Sequence, residues 1–285
     1  METQVREMLD LSYQDTSLGN NYYKLDLYLP AAVNSDKLPP LMVYVHGGLW
    51  MDRDKRDSKD IGFYFSDNGF AVAIVNYTLT KHSDNPVHHY PVHNRDLSKS
   101  LYWLLTNDSV NGLFDRENVH LIGHSCGAHM IALACMQWDQ TMNGLSMDGI
   151  KSVVGLQGIY DVERFVNDFP NWTSEIGFIY NNSDPKSWES PQHIDPQSTT
   201  QTIRDAISNK IDWLLVHSPE DLWVNREQSI YFKQQMLTLW SCKKVIVDED
   251  LHGAHFPVVE TLTVKSDPTG DKLRNSLNQF YSKYF

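Results

Sequence analysis

A serine between two glycines, Gly123-His124-Ser125-Cys126-Gly127, ends an apolar run and opens a helix-like stretch from Ala128 to Cys135. A strand–turn–helix context of this kind is what a nucleophile elbow requires. A serine at so tight a turn holds a strained backbone, and a side chain at either flanking glycine would collide with a neighbouring element. The strain leaves the Ser125 hydroxyl at a helix N-terminus, where the macrodipole favours negative charge. A serine hydroxyl is a poor nucleophile near neutral pH, so it needs a base within reach and an acid to orient that base. In an elbow arrangement the chain order is Ser, then Asp or Glu, then His. Two later segments offer such partners, each after a strand-like run. His217-Ser-Pro-Glu220-Asp221-Leu-Trp-Val gives two carboxylates, and Leu251-His252-Gly253-Ala254-His255-Phe256 gives two imidazoles. Asp221 is the better acid because an apolar segment and a helix follow it, with Glu220 as the fallback. His255 is preferred to His252 because Gly253-Ala254 gives it an uncrowded approach and Phe256-Pro257-Val258 can anchor the loop beyond.

An acyl-transfer site also needs donors for a developing oxyanion, usually the N–H after the nucleophile and an N–H from a glycine-rich turn. Cys126 supplies the first, its own side chain pointing away from the substrate. His46-Gly47-Gly48-Leu49-Trp50 supplies the second, with Gly48 as donor and Gly47 or Leu49 beside it. His46 and His124 flank this site and are expected to donate structural hydrogen bonds. His88, His89 and His93 invite a metal reading, but Pro86 and Pro91 interrupt the segment and disfavour a rigid two-histidine face. The chemistry implied therefore calls for no metal and no cofactor.

The elements that must position these groups are strand-like runs separated by helical patterns. Tyr22–Leu29 alternates polar and apolar residues, as a half-buried strand does. Leu41–Val45, Phe70–Val75, Val119–Ile122, Ile150–Leu156, Trp213–Val216 and Lys244–Val247 are continuous apolar runs, which fit strands buried on both faces of a parallel sheet. Leu97–Leu105, Val224–Leu239 and Gly270–Phe285 read as amphipathic helices. The alternation predicts an α/β fold, a doubly wound, mostly parallel sheet spanning residues 1–285 as one domain. Residues 161–200 are the exception, with four prolines and several aromatics and no legible strand. A long excursion of this kind is usually functional, so 161–200 is read as a lid-like insertion over the site.

A chain of 285 residues is long enough for a sizeable core. A net charge of −12 repels phosphate backbones and anionic membranes, so nucleic acid and membrane surfaces are excluded as expected partners. No apolar run approaches the ~18–20 residues that span a bilayer. Met1–Glu7 lacks the basic-then-apolar pattern of a signal peptide, and three cysteines do not suggest a disulfide framework. A cytoplasmic setting is expected.

With these pieces in place the sequence resembles the α/β-hydrolase superfamily, and within it the branch of small esterases and kynurenine formamidases (arylformamidases), most of all the fungal ones. The resemblance rests on His46-Gly-Gly-Leu-Trp50, Asn76-Tyr-Thr-Leu, Tyr90-Pro-Val-His-Asn-Arg-Asp96, Gly123-His-Ser-Cys-Gly-Ala-His129, Gly158-Ile-Tyr-Asp161, Ser190-Pro191, Val216-His-Ser-Pro-Glu-Asp221 and Gly253-Ala-His-Phe256. It implies Ser125, Asp221 and His255 as nucleophile, acid and base. It also implies a small-molecule formamide or ester substrate, N-formylkynurenine above all, cleaved to kynurenine and formate in tryptophan degradation. Trp50, Tyr160 and Trp172 are the aromatic side chains expected to touch that substrate. Cysteine after the nucleophile departs from the small residue, such as alanine, more usual there. A general short-chain carboxylesterase and a non-catalytic receptor on the same fold are the alternatives.

Overall fold

The protein is described by a computed structural model covering residues 5–14, 22–31, 37–84, 86–264 and 266–284. Met1–Gln4, part of the segment read above for a leader, lie outside the described residues. Eight strands form one sheet: β1 (Arg6–Ser12), β2 (Lys24–Leu29), β3 (Pro40–Val45), β4 (Ala71–Val75), β5 (Asp115–His124), β6 (Ile150–Leu156), β7 (Asp212–Val216) and β8 (Val245–Asp248). Their order is β1-β2-β4-β3-β5-β6-β7-β8. The β1/β2 and β2/β4 pairs are antiparallel and the five remaining pairs are parallel.

The apolar runs of β3 to β7 become strands because both faces of the sheet are covered there; β8, expected to be buried on both faces, is an edge strand with Ile246 exposed. On β3, Leu41, Val43 and Val45 enter one core, and Met42 and Tyr44 enter the other. Helices α2 (Val92–Thr106) and α3 (Cys126–Met136) pack Leu97, Leu101 and Ile131 into the first. Helix α1 (Lys59–Asp67) and helix Pro268–Tyr281 pack Ile61, Phe65, Leu273 and Leu277 into the second. Burial on two sides removes the polar alternation that a solvated strand would need.

Register decides where the loops emerge. Val45 lies opposite Gly123, His124 opposite Leu156, and Val216 opposite both Leu156 and Asp248. The C-terminal ends of β3, β5, β7 and β8 therefore sit at one edge, where ligand sites of open α/β sheets form. The glycine turn, the serine and the two loops carrying Asp221 and His255 all leave from it.

One departure from the sequence reading of the sheet stands out. Strand β1 was not anticipated. The stretch 157–211 between β6 and β7 forms short helices, among them Val162–Asp168, Pro170–Trp172 and Thr173–Tyr180. Beneath the turn that follows β3, Lys55 is almost wholly buried, with Nζ 2.7 Å from Asp26 on β2 and 2.8 Å from Asp10 on β1. Its backbone N–H donates to Asn76 Oδ1 at 2.6 Å.

Candidate active site

Ser125 sits between β5 and α3 with φ 56° and ψ −122°, a conformation that side-chain-bearing residues rarely adopt. Its neighbours explain how the turn closes. A Cβ on Gly123 would lie 2.5 Å from the Gly127 backbone, and one on Gly127 would lie 2.2 Å from the Val45 carbonyl oxygen. A Cβ on Gly47 would meet the Ser125 Cβ at 2.9 Å. The three glycines let β5, α3 and the turn after β3 approach at backbone distance.

The loop after β7 carries Asp221, and both of its carboxylate oxygens are engaged. Oδ1 accepts from the Trp223 and Val224 N–H groups at 2.8 and 3.0 Å. Oδ2 accepts from His255 Nδ1 at 2.7 Å, and both side chains are buried. That bond places the imidazole proton on Nδ1 and leaves Nε2 with its lone pair, the state a general base needs. Glu220 points the other way. It pairs with His252 Nδ1 at 3.0 Å and the Gly253 N–H at 3.0 Å, all exposed to solvent. The two alternatives left open by the sequence thus bind each other, away from Ser125.

Ser125 and His255 line one cavity of about 320 Å³. Among the described residues no hydrogen bond joins the hydroxyl to the imidazole, a looseness common before substrate binds. The remaining wall is largely apolar: Leu49, Met51, Ile159, Phe165, Trp172, Trp223 and Phe256, with Asp52 and Arg53 at its edge. Trp223 lies parallel to the His255 ring at 6.3 Å between centroids and 5.7 Å from Trp172.

Of the three aromatic side chains expected to touch substrate, Trp172 reaches this cavity. Trp50 and Tyr160 do not, and the expectation is corrected for both. Leu49 and Trp50 hold left-handed φ values of 52° and 58°, which turn the Trp50 ring into the core against His129, 5.0 Å away. Tyr160 is stacked on Phe232 at 4.3 Å and fills the space beside Gly155 and Gly158. In the insertion, Tyr180 and Trp188 are likewise core residues. The cavity aromatics missed from sequence are Phe165, Trp223 and Phe256. Two of them directly adjoin the loops that carry Asp221 and His255, and adjacency to those loops was the available signal.

The other flanking groups are fixed and uncharged. His46 Nδ1–H donates to the Gly47 carbonyl at 2.8 Å and stacks on Tyr77. His124 Nε2–H donates to the His255 carbonyl at 2.9 Å. His217 Nε2–H donates to the Val224 carbonyl and its Nδ1 accepts from Ser229. Burial lowers the pKa of all three. The Cys126 thiol is turned from the cavity; its sulfur accepts from the Trp50 N–H at 3.3 Å, and burial pushes its pKa to about 11. His93 bonds to Thr80 Oγ1, and His89 Nδ1–H donates to the Phe178 carbonyl. All three cysteines are free and buried.

The chain as a whole is similar to known proteins. The BD-FAE family model matches residues 25–236. A kynurenine formamidase of Meyerozyma guilliermondii is 30% identical over 75% of this chain and 77% of its own length. A kynurenine formamidase of Aspergillus versicolor is 26% identical over 90% and 96%. An isoprenylcysteine alpha-carbonyl methylesterase of Arabidopsis thaliana is 31% identical over 52% of this chain and 34% of its own. Among solved structures, esterase B from Lactobacillus rhamnosis superposes with a TM-score of 0.72 over 99% of this chain and 88% of that one, at 18% identity. The chain belongs to the BD-FAE family of α/β-hydrolases and is a hydrolase.

Proposed function

We propose that the chain is a cytoplasmic serine hydrolase acting on an N-formyl amide, with N-formylkynurenine as substrate and kynurenine and formate as products. The observation that carries the reading is the buried 2.7 Å bond from His255 to Asp221 on the wall of the cavity that Ser125 also lines. In this proposal the Ser125 Oγ attacks the formyl carbon while His255 Nε2 takes its proton. Asp221 holds the ring and stabilises the imidazolium. The oxyanion rests on the Cys126 N–H, first in helix α3, and on the Gly48 N–H. The Gly47 carbonyl is held by His46, so the trans peptide directs the Gly48 N–H to the opposite side, where Gly48 lines the cavity. His255 then gives its proton to the leaving aryl amine, the C–N bond breaks, and a formyl ester remains on Ser125. Water, deprotonated by His255, attacks that ester; the bond from Ser125 Oγ to the formyl carbon breaks, His255 returns the proton to Oγ, and formate leaves. Residues 161–200 act as a cap within a single domain, supplying Phe165 and Trp172 to the aryl group.

The formamide is favoured over a plain ester by the names of the two relatives that align over most of their length. The methylesterase match keeps a carboxylic ester as the second reading. Replacing Ser125 with Ala should lower kcat/KM for p-nitrophenyl acetate by roughly 10⁴-fold or more with the melting temperature retained. Undiminished turnover would reject the assignment. Specificity constants for N-formylkynurenine and for simple aryl esters, taken side by side, separate the two substrates. A large preference for the esters overturns the formamidase reading.

A further inference from the structure

We infer that Arg53 is a specificity-determining residue that binds a carboxylate carried by the leaving part of the substrate. This rests on the hydrolase reading above and names a feature of the substrate for the same site. Arg53 and Asp52 are the charged residues beside His255 on a wall that is otherwise apolar or neutral. Three observations fix Arg53 there. Its φ is 79°, an unfavourable backbone for a side chain with a Cβ, so the surrounding structure holds it. Its guanidinium lies 4.4 Å from the centre of the Phe256 ring, next to His255. Its Cγ lies 2.9 Å from where a Cβ on Gly48 would stand, which puts the stem against the proposed oxyanion turn.

The guanidinium is only lightly committed. Its contact with Glu260 is one N–O approach of 3.5 Å between partly exposed groups, and the planar fork has five donors. A substrate whose reacting carbonyl sits at Ser125 and whose aryl ring lies on Trp172 and Trp223 can extend its far end to Arg53. A carboxylate on that end is the group whose shape matches the fork. Asp52, exposed beside it, suits an ammonium on the same end. The chain as a whole carries a charge of −12, so a local cation at the mouth is what admits an anionic substrate.

The test compares carboxylate and carboxamide forms of one substrate. N-formylkynurenine against its carboxamide is the formamide pair, and O-acetyl-tyrosine against O-acetyl-tyrosinamide is the ester pair. The readout is the ratio of kcat/KM within each pair, which a folding defect does not move. Wild type should favour the carboxylate by roughly tenfold or more, as charge-assisted pairing implies. Arg53→Gln should bring the ratio close to one, and Arg53→Lys should keep part of it. A wild-type ratio near one, or a ratio unchanged in Arg53→Gln, overturns the inference. The pairs keep the two readings apart. Ester turnover with the ratio but no formamide turnover sinks the formamidase reading and supports Arg53, whereas formamide turnover without the ratio does the reverse.

Discussion

Both carboxylate oxygens of Asp221 are engaged. Two backbone N–H groups hold one oxygen and the His255 imidazole holds the other. Replacing it with Asn keeps the volume but presents an amide where an acceptor is needed, so the ring loses the tautomer that leaves Nε2 free. The expected cost is roughly 10³–10⁴ in kcat, by analogy with the same change in a serine protease. Glu220→Gln serves as the comparison, because that carboxylate bonds His252 and Gly253 at the surface. Steady-state kinetics on both variants decides the matter. A large loss in Glu220→Gln with Asp221→Asn near wild type would assign the acid role to the wrong residue. The same scale shows why Trp50 misled. A tryptophan beside a glycine turn offers its ring to either side, and only the left-handed φ at 49 and 50 turns it inward.

Secondary elements were legible in proportion to how completely they are buried. Strands β2–β7 were readable as apolar or alternating runs because their side chains fill two cores, and β8 was readable from its apolar composition although Ile246 on it is exposed. Strand β1 was not, since Arg6–Ser12 is mostly exposed and its pairing with β2 shifts register between Met8 and Leu11, near Asp10 with φ 58°. A solvated edge with an irregular register carries no periodic signal. Helix 59–67 was also unread, although Ile61 and Phe65 are spaced four apart on its buried face. That Ser125, Asp221 and His255 leave one edge of the sheet was legible because chain order and strand ends restrict them. The cavity wall was not, because which face a loop aromatic shows is decided by backbone angles. At this scale Gly127 gives the sharpest prediction. Gly127→Ala would drive a methyl into the Val45 and His46 carbonyls at 2.2 and 2.7 Å, and backbone atoms cannot move aside. A destabilisation of about 1–3 kcal/mol or more is expected, with loss of activity. Gly112→Ala, facing open space with φ 75°, should show only the smaller cost of its backbone angle. Thermal unfolding of both checks the contrast, and equal losses would contradict it.

At the scale of the whole molecule, six of the buried histidines among the described residues are held neutral. Burial lowers the pKa of His46, His93, His120, His124, His129 and His217, reaching about 3 at His93, His120 and His129. In the unfolded chain each titrates near its ordinary value of about 6.5. Below that pH the unfolded state binds protons that the folded state refuses, so stability is full above it and falls as the solution is acidified. Each site contributes up to about 1.4 kcal/mol per pH unit, which makes the summed loss several kcal/mol by pH 5.5. Asp96 and Glu189, raised by burial, work in the opposite direction but over the lower carboxylate range. Urea midpoints at pH 7.5 and 5.5 measure the difference, and identical midpoints would refute it.

The ammonium of Lys55 has a consequence for the margin of the sheet. It is clasped by one carboxylate from each of β1 and β2, the pair at one edge, directly downstream of the glycine turn that we propose holds the oxyanion. A buried cation stripped of its counter-charge costs several kcal/mol, so these strands cannot drift without unsettling that turn. Asp10 and Asp26 are therefore not ordinary hairpin decoration: a margin remote from the cavity is moored to the same keel as the glycine turn.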